Sequence, residues 1–544
     1  MTRLSLFALS GVVLAHAGDA ASVKTARGSA GMAATSTPYA SAAAVRILEQ
    51  GGNAVDASVA ACFALMVTDP AMTSLGGRSQ TVIARKDGTI LGIDGATQAP
   101  AGLAPLAEGR PQRNGFQIVP VPGNPAALEY AVKQAGRLRF AQVLRPAIEL
   151  AESGFEVTPR LAEIWEADRS RLARDPGAAL NFLKPDKSAY KQGEVFRQPR
   201  LARLLKAIAG SGAQVFYRGP IAEAIAGDIA RNGGFVTAGD LESYRAEAGT
   251  LVRTDYRGHE VISLGRHAWG NTLVEMLNIL RHFPVRKGEP SPEETELLAR
   301  TIRQAMEDRP QQLGTLRPKP GGHPLELLSS VEFGRERATM IRAQIGKPAV
   351  AEQSSIPKED HDTTHLSVID AEGNAVAMTT SIGPRFGSGV ATPELGFLYA
   401  HSYNMRSNPV PLARDLTEMT PTIVLKKGRP VLAVGAAGSE RIPVAIFQVI
   451  SNLIDRGYTL EKSLAAPRLF SAGDKVRIHE DSAAAAIERL RRLGFQIETR
   501  DRGINQHLGI VQAVWYDPQK RAFIGAADPV ADGAAQGPSG SRRR

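Results

Sequence analysis

The stretch richest in chemistry is Asp362-Thr363-Thr364-His365, which opens an alternating run that ends at Thr379-Thr380-Ser381. A bare hydroxyl is a poor nucleophile and needs an adjacent base. A threonine at a chain terminus carries its own base, because the free α-amine sits beside the side-chain hydroxyl. That amine has a reference pKa of about 7.7–8.0, so a useful fraction is neutral near physiological pH. Breaking the Asp362–Thr363 bond would create such a terminus. The segment ahead of it suits a break, since Arg317-Pro318-Lys319-Pro320-Gly321-Gly322 and residues 352–362 read as a surface connection. Spacing brings in a second hydroxyl. A three-residue hairpin loop at Ala371-Glu372-Gly373 sets Thr363 opposite Ser381, whereas a two-residue turn at Glu372-Gly373 shifts the pairing by one. Taken alone, Thr-Thr-His at a strand start also fits an ordinary edge strand.

These residues need elements to hold them. Helices are predicted over 39–50, stopped by Gly51-Gly52, and from Asn53 towards Val67, with Pro70 beyond. A hairpin is predicted from 81–85 and 89–94 around Lys86-Asp87-Gly88. Residues 125–350 are dominated by helical periodicity, as in 141–153, where Leu144, Ile148 and Ala151 share a face. Gly233-Gly234, 237–240 and Tyr256-Arg257-Gly258 punctuate that region, and about 310–362 is looser. From Thr363 strands take over, with hairpins 366–370/375–381, 423–425/431–434 and 510–516/522–525. Helices intervene at about 443–456, 460–466 and 482–493. Strand pairs separated by helices imply a layered α/β sandwich with largely antiparallel sheets. Residues 531–544, rich in Ala, Gly, Ser and Arg, read as a disordered tail.

The composition narrows the classes. Lysine and arginine total 65 against 55 acidic residues, but the excess is spread along the chain and no basic run is interleaved with aromatics. A solvated basic surface is therefore expected, and not a nucleic-acid partner. Arg3, the apolar stretch 4–14 and Ala15-His16-Ala17 form a secretory leader pattern over 1–17, too short for a permanent membrane span. This predicts a secreted or periplasmic protein without a stable membrane anchor. Cys62 is the only cysteine, so no intrachain disulfide can form. It reads as a small buried apolar residue, with nothing nearby to lower its pKa. The histidines are scattered, so neither a metal site nor a cofactor is implied.

An ordered set of short motifs goes further. Gly31-Met32-Ala33-Ala34-Thr35-Ser36, Gly51-Gly52-Asn53-Ala54-Val55-Asp56-Ala57, Leu75-Gly76-Gly77 and Val121-Pro122-Gly123 come first. Pro146-Ala147-Ile148-Glu149-Leu150-Ala151, Asp255-Tyr256-Arg257-Gly258 and Asp362-Thr363-Thr364-His365 follow. Met419-Thr420-Pro421-Thr422, Ala466-Pro467-Arg468 and Ala527-Asp528-Pro529 complete the set. In this order, over nearly the whole mature chain, the sequence resembles the γ-glutamyltranspeptidase (glutathione hydrolase) family. The resemblance implies an N-terminal-nucleophile hydrolase proenzyme with a four-layer αββα sandwich and a helical portion in its large subunit. It implies self-cleavage before Thr363 into a large subunit, residues 18–362, and a small catalytic subunit, residues 363–544. Thr363 becomes the nucleophile. Ser381 takes the place of the family's second threonine, which supports the nucleophile's hydroxyl. Gly438-Ser439 falls where a Gly-Gly pair holds the oxyanion through backbone amides.

Departures from the family pattern are as informative. The arginine that reads the γ-glutamyl α-carboxylate is replaced by Ala96, and two carboxylate-binding serines correspond to Thr417 and Glu418. An asparagine two residues after the second threonine becomes Gly383. The residues that hold the α-amine are replaced around Ser402 and Met405. Arg385, His401, Thr417 and Glu418 lie in segments that line the family's site and stand as candidate substrate contacts, with a solvated surface role as the alternative for Arg385, His401 and Glu418. The expected activity is amide cleavage through an acyl-enzyme, with the acyl group passed to water or an amine. Glutathione or another small γ-glutamyl amide is the default substrate. A cephalosporin-acylase-like acyl specificity and a periplasmic binding pseudoenzyme are the rival readings.

Overall fold

The structure, a computed structural model, describes residues 23–103, 114–311, 319, 322–349, 363–402, 405, 410–503 and 505–539. The leader at 1–17 and Asp362 lie outside the described residues. The strands of the two large sheets are numbered here in chain order. Before Thr363 come β1 (Lys24–Gly28), β2 (Gly31–Thr35), β3 (Arg78–Ala84), β4 (Ile90–Gly95), β5 (Glu247–Ala248), β6 (Leu251–Tyr256) and β7 (His259–Leu264). After it come β8 (Thr364–Asp370), β9 (Ala375–Ser381), β10 (Thr422–Lys426), β11 (Arg429–Ala437), β12 (Ile510–Asp517), β13 (Ala522–Ala527) and β14 (Ala534–Gln536).

One seven-stranded sheet runs β1-β13-β12-β11-β10-β7-β6 and the other β14-β2-β8-β9-β3-β4-β5. Every neighbouring pair in both is antiparallel. Side-chain alternation along the strands decides what each face meets. Leu366 and Val368 of β8 share a core with the helix Ala54–Thr68. Ile369, Ala375 and Ala377 point the other way, into a core with Ala433 and Val514 of the opposite sheet. Leu432 and Val434 pack outward against the helix Arg441–Ile454. The result is helices, sheet, sheet, helices: the four-layer sandwich expected.

Strands from both sides of residue 363 build both sheets. The proposed cut would therefore leave two pieces laced together by backbone ladders and shared cores, not two domains that fold apart. Local signals predicted much of this frame. Asn53 forms a capping box at the start of its helix, and the hairpins at β3–β4, β8–β9, β10–β11 and β12–β13 all form.

Three expectations need correction. The looser segment 310–362 contains a helix, Val331–Gln344, capped by Ser330 and burying Phe333, Ala338 and Ile341. Tyr256-Arg257-Gly258, expected to punctuate a helical region, turns the β6–β7 hairpin. Arg257 and Gly258 take positive φ there (53° and 75°), the backbone a tight hairpin turn requires. The tail expected to be disordered from 531 is ordered to 539. Its residues Ala534–Gln536 add an edge strand to β2, and the Ala534 carbonyl accepts a hydrogen bond from Ser41 Oγ at 2.7 Å. Small side chains there let the strand lie close, an effect of tertiary packing that composition does not carry.

Candidate active site

The β8–β9 ladder pairs Thr364 with Thr380 and His365 with Thr379. The three-residue loop 371–373 is the one formed, since the Asp370 N–H donates to the Asn374 carbonyl at 3.0 Å. Carried one residue on, this register sets Thr363 opposite Ser381. Parity then fixes the face: residues 365, 367 and 369 look between the sheets, and so do 363 and 381. Thr363 and Ser381 are both buried, at 7% and 4% exposure, at the end of the inner face. Ser381 Oγ accepts the Gly383 N–H at 2.9 Å.

His365 belongs to the frame of the sandwich. Its Nδ1 and Nε2 meet Thr379 Oγ1 at 2.8 Å and Ser367 Oγ at 2.9 Å. Its ring lies on Gly435 of β11, where a Cβ would come within 2.2 Å of it. Burial drives its pKa down to about 3, so it stays neutral at working pH. That contact also aligns the two sheets. His365 faces Gly435, and Ile369 joins the core of Ala433, so β8 and β11 run in opposite senses. Thr363 and the turn after β11 therefore emerge at the same end.

That turn carries Gly438 and Ser439, with φ of 126° and 55°. Positive φ is costly for serine, and such strain persists only where the surroundings hold it. Here the Gly438 carbonyl accepts from Arg441 N at 3.1 Å and Arg441 Nε at 2.8 Å, and the Ser439 carbonyl accepts from Ile442 N at 3.0 Å. The buried helix Arg441–Ile454 starts immediately after, so its N-terminal dipole adds to any backbone donors aimed at a developing negative charge. His507, buried beside Gly438, closes the far side of the turn; sequence patterns did not single it out.

The other candidates separate. His401 is buried next to the nucleophile strands, its N–H on the Ile382 carbonyl at 2.8 Å. Thr417 is buried, but its hydroxyl donates to the His267 carbonyl at 3.0 Å. Arg385 is half-buried at the rim, with Nη2 on Asn505 Oδ1 at 2.8 Å. Glu418 is buried, and burial together with the charge of Glu440 pushes its pKa up to about 7. Arg309 faces the same acids. It lies 3.4 Å from the Trp269 ring centroid, and burial lowers its pKa to about 9. Ala96 is buried, and Met405 packs with Ala99 and Leu103 in a small apolar cluster.

Sequence reasoning missed Arg78 and Asp415. Arg78 opens β3 opposite Ser381 and is ion-paired with Asp415 at 3.2 Å. Nothing local marks either residue, because they lie 337 positions apart. Cys62 is buried, as expected, and burial raises its thiol pKa to about 12, which keeps it inert. Two of the late motifs meet each other: Arg468 and Asp528 form a buried ion pair that ties β13 to the segment after helix Leu460–Ala465. Among the described residues, no group of three His, Cys, Asp or Glu side chains is placed to hold a metal.

Comparison with known proteins identifies the family. The family model described as gamma-glutamyltranspeptidase matches residues 40–537. The chain is 34% identical to the Acylase ACY 1 proenzyme of Pseudomonas sp. (strain V22), over 96% of each chain. It is 30% identical to the glutathione hydrolase proenzyme of Escherichia coli (strain K12), over 92% of this chain and 91% of that one. Among solved structures, the cephalosporin acylase from Bacillus halodurans superposes with a TM-score of 0.85 at 28% identity, covering 99% of this chain and 100% of that one.

Proposed function

Because this chain belongs to the γ-glutamyltranspeptidase family, we propose that Thr363 is the nucleophile of a self-processing N-terminal amidase. The chain is an amidohydrolase or transferase of the N-terminal-nucleophile type. The observation that carries the residue assignment is the pairing of Thr363 with Ser381 on the inner face, at the end where the Gly438-Ser439 turn emerges. In maturation, Thr363 Oγ attacks the carbonyl of residue 362, and the peptide nitrogen leaves as the Thr363 amine. Water then hydrolyses the ester between residue 362 and Oγ. In turnover, that amine takes the proton from Oγ as Oγ bonds to the substrate's amide carbon. The Gly438 and Ser439 N–H groups hold the oxyanion, and the leaving amine departs with the proton. Water or an acceptor amine then releases the acyl group.

For substrate, a γ-glutamyl amide such as glutathione is the family default, and the relatives named as acylases support a second reading. The second is favoured here, because Ala96 and Met405 put buried apolar side chains where a γ-glutamyl zwitterion would need partners. We place the mature enzyme outside the cytoplasm, on the leader pattern at 1–17. Among the described residues no helix is long and apolar enough to cross a membrane.

Mass spectrometry of purified protein tests the assignment. Two fragments are expected, the smaller beginning Thr363-Thr364-His365, and Thr363→Ala should stay full length and inactive. Splitting at the same bond in Thr363→Ala would assign the cut to an outside protease.

A further inference from the structure

A buried cation is built into the sheet that carries Thr363. Ser381 of β9 pairs directly with Arg78 of β3, and the β8–β9 register sets Ser381 opposite Thr363. Directly opposed residues of antiparallel strands share a face. Thr363, Ser381 and Arg78 therefore stand in one row on the inner face, with Arg78 about two strand spacings, roughly 10 Å, from the nucleophile.

Arg78 is 2% exposed, and its Nη1 donates to Asp415 Oδ2 at 3.2 Å, to Thr97 Oγ1 at 3.3 Å and to the His401 carbonyl at 3.1 Å. Asp415 is 1% exposed and also accepts from Thr97 Oγ1 at 2.6 Å and Ser402 Oγ at 2.7 Å. Four separate segments converge on this one ion pair beside the row. A buried pair of this kind resists being split, because either charge left alone would be buried without its counter-ion.

We propose that the Arg78–Asp415 pair is the specificity-determining device of the substrate pocket: an internal zwitterion that admits acyl groups without charge and excludes those that bring their own. This rests on the reading of Thr363 as nucleophile. A substrate carboxylate placed along the row meets a guanidinium whose charge Asp415 already balances, and a substrate ammonium finds Asp415 already taken by Arg78. An uncharged acyl chain asks neither group to change partner.

The test is to unbalance the pair and compare acyl groups of similar length. On the processed enzyme, kcat/KM is measured for butyryl- and glutaryl-p-nitroanilide, which differ by one terminal carboxylate. Wild type should prefer butyryl. Asp415→Asn removes the counter-charge and keeps one acceptor oxygen, for Thr97 or for Ser402 but not for both, and should shift the preference about tenfold towards glutaryl, mainly through KM. Asp415→Ser makes the same change should Asp415→Asn not fold. Arg78→Gln/Asp415→Asn, with neither charge, should return the ratio to that of wild type. An unchanged glutaryl-to-butyryl ratio in a processed Asp415 variant would show that the pair only supports the fold. Calorimetric binding of glutaramate against butyramide reads the same preference without turnover. A chain that hydrolyses no anilide would thus sink the nucleophile assignment, while the binding ratio would still decide the role of the pair.

Discussion

Two walls of the same site are built in different ways. The nucleophile wall, from Thr363 and Ser381 to the Gly438-Ser439 turn, is made of backbone: a hairpin register, a turn with positive φ and the start of a buried helix. The charged wall, with Arg78, Asp415, Glu418 and Arg309, is made of long side chains from segments far apart in the chain. In the proposed site a backbone-made wall would tolerate side-chain change, which would let serine serve at 381 and at 439. A wall of buried charges would not, because a charge that loses its counter-ion is left buried and unpaired. The chemistry and the choice of substrate are therefore separable here.

The largest effect that would sharpen this contrast is expected at Ser439. If its N–H is the donor, Ser439→Pro removes that donor and forces φ to about −65° in place of 55°. Turnover should fall about 10²–10³-fold, whereas Ser439→Gly should keep activity within a few-fold. Steady-state kinetics on both variants checks this, and equal losses would tie the serine side chain to the chemistry.

A smaller loss, about 10–100-fold in both processing and turnover, is expected for Ser381→Ala, which deletes the hydroxyl facing the nucleophile. Ser381→Thr should retain most activity. Time courses of fragment appearance and anilide hydrolysis measure the two together. Wild-type rates in the alanine variant would remove Ser381 from the site.

The smallest effect falls on the charged wall and reads as stability. Burial and Glu440 hold Glu418 at a pKa of about 7, above its ordinary 4.5. Between those values the folded protein binds more protons than the unfolded chain, so stability present below about pH 4.5 is lost as pH rises to about 7. Glu418→Gln cannot ionise and escapes that loss. Its stability relative to wild type should improve by about 1–3 kcal/mol between pH 5 and pH 8. Denaturant unfolding at both pH values measures this, and a constant difference would mean that Glu418 ionises normally.

How much was legible in the sequence follows the same division. Hairpin loops, caps and period-two alternation are local, so the β8–β9 hairpin, with its register narrowed to two choices, and the helix starting after Asn53 could be read directly. The helix Val331–Gln344 was missed because it sits in a stretch flanked by glycine and proline. The ordered tail was missed because its strand has no hydrophobic pattern and is held by pairing with β2 and by Ser41 Oγ on the Ala534 carbonyl.

The sequence by itself marked Thr363 as a candidate nucleophile, narrowed the residue across from it to two hairpin registers and showed which faces of the strands are apolar. Each of these depends on neighbours a few positions away, through chain geometry that any compact fold must respect. Only the tertiary structure decided that His365 is a neutral spacer seated on Gly435, and that Arg78 meets Asp415 beside the nucleophile. Those outcomes depend on how two sheets stack and on which distant segments close their end. A buried charge acquires its partner and its pKa from that packing, and no run of sequence around it carries the information.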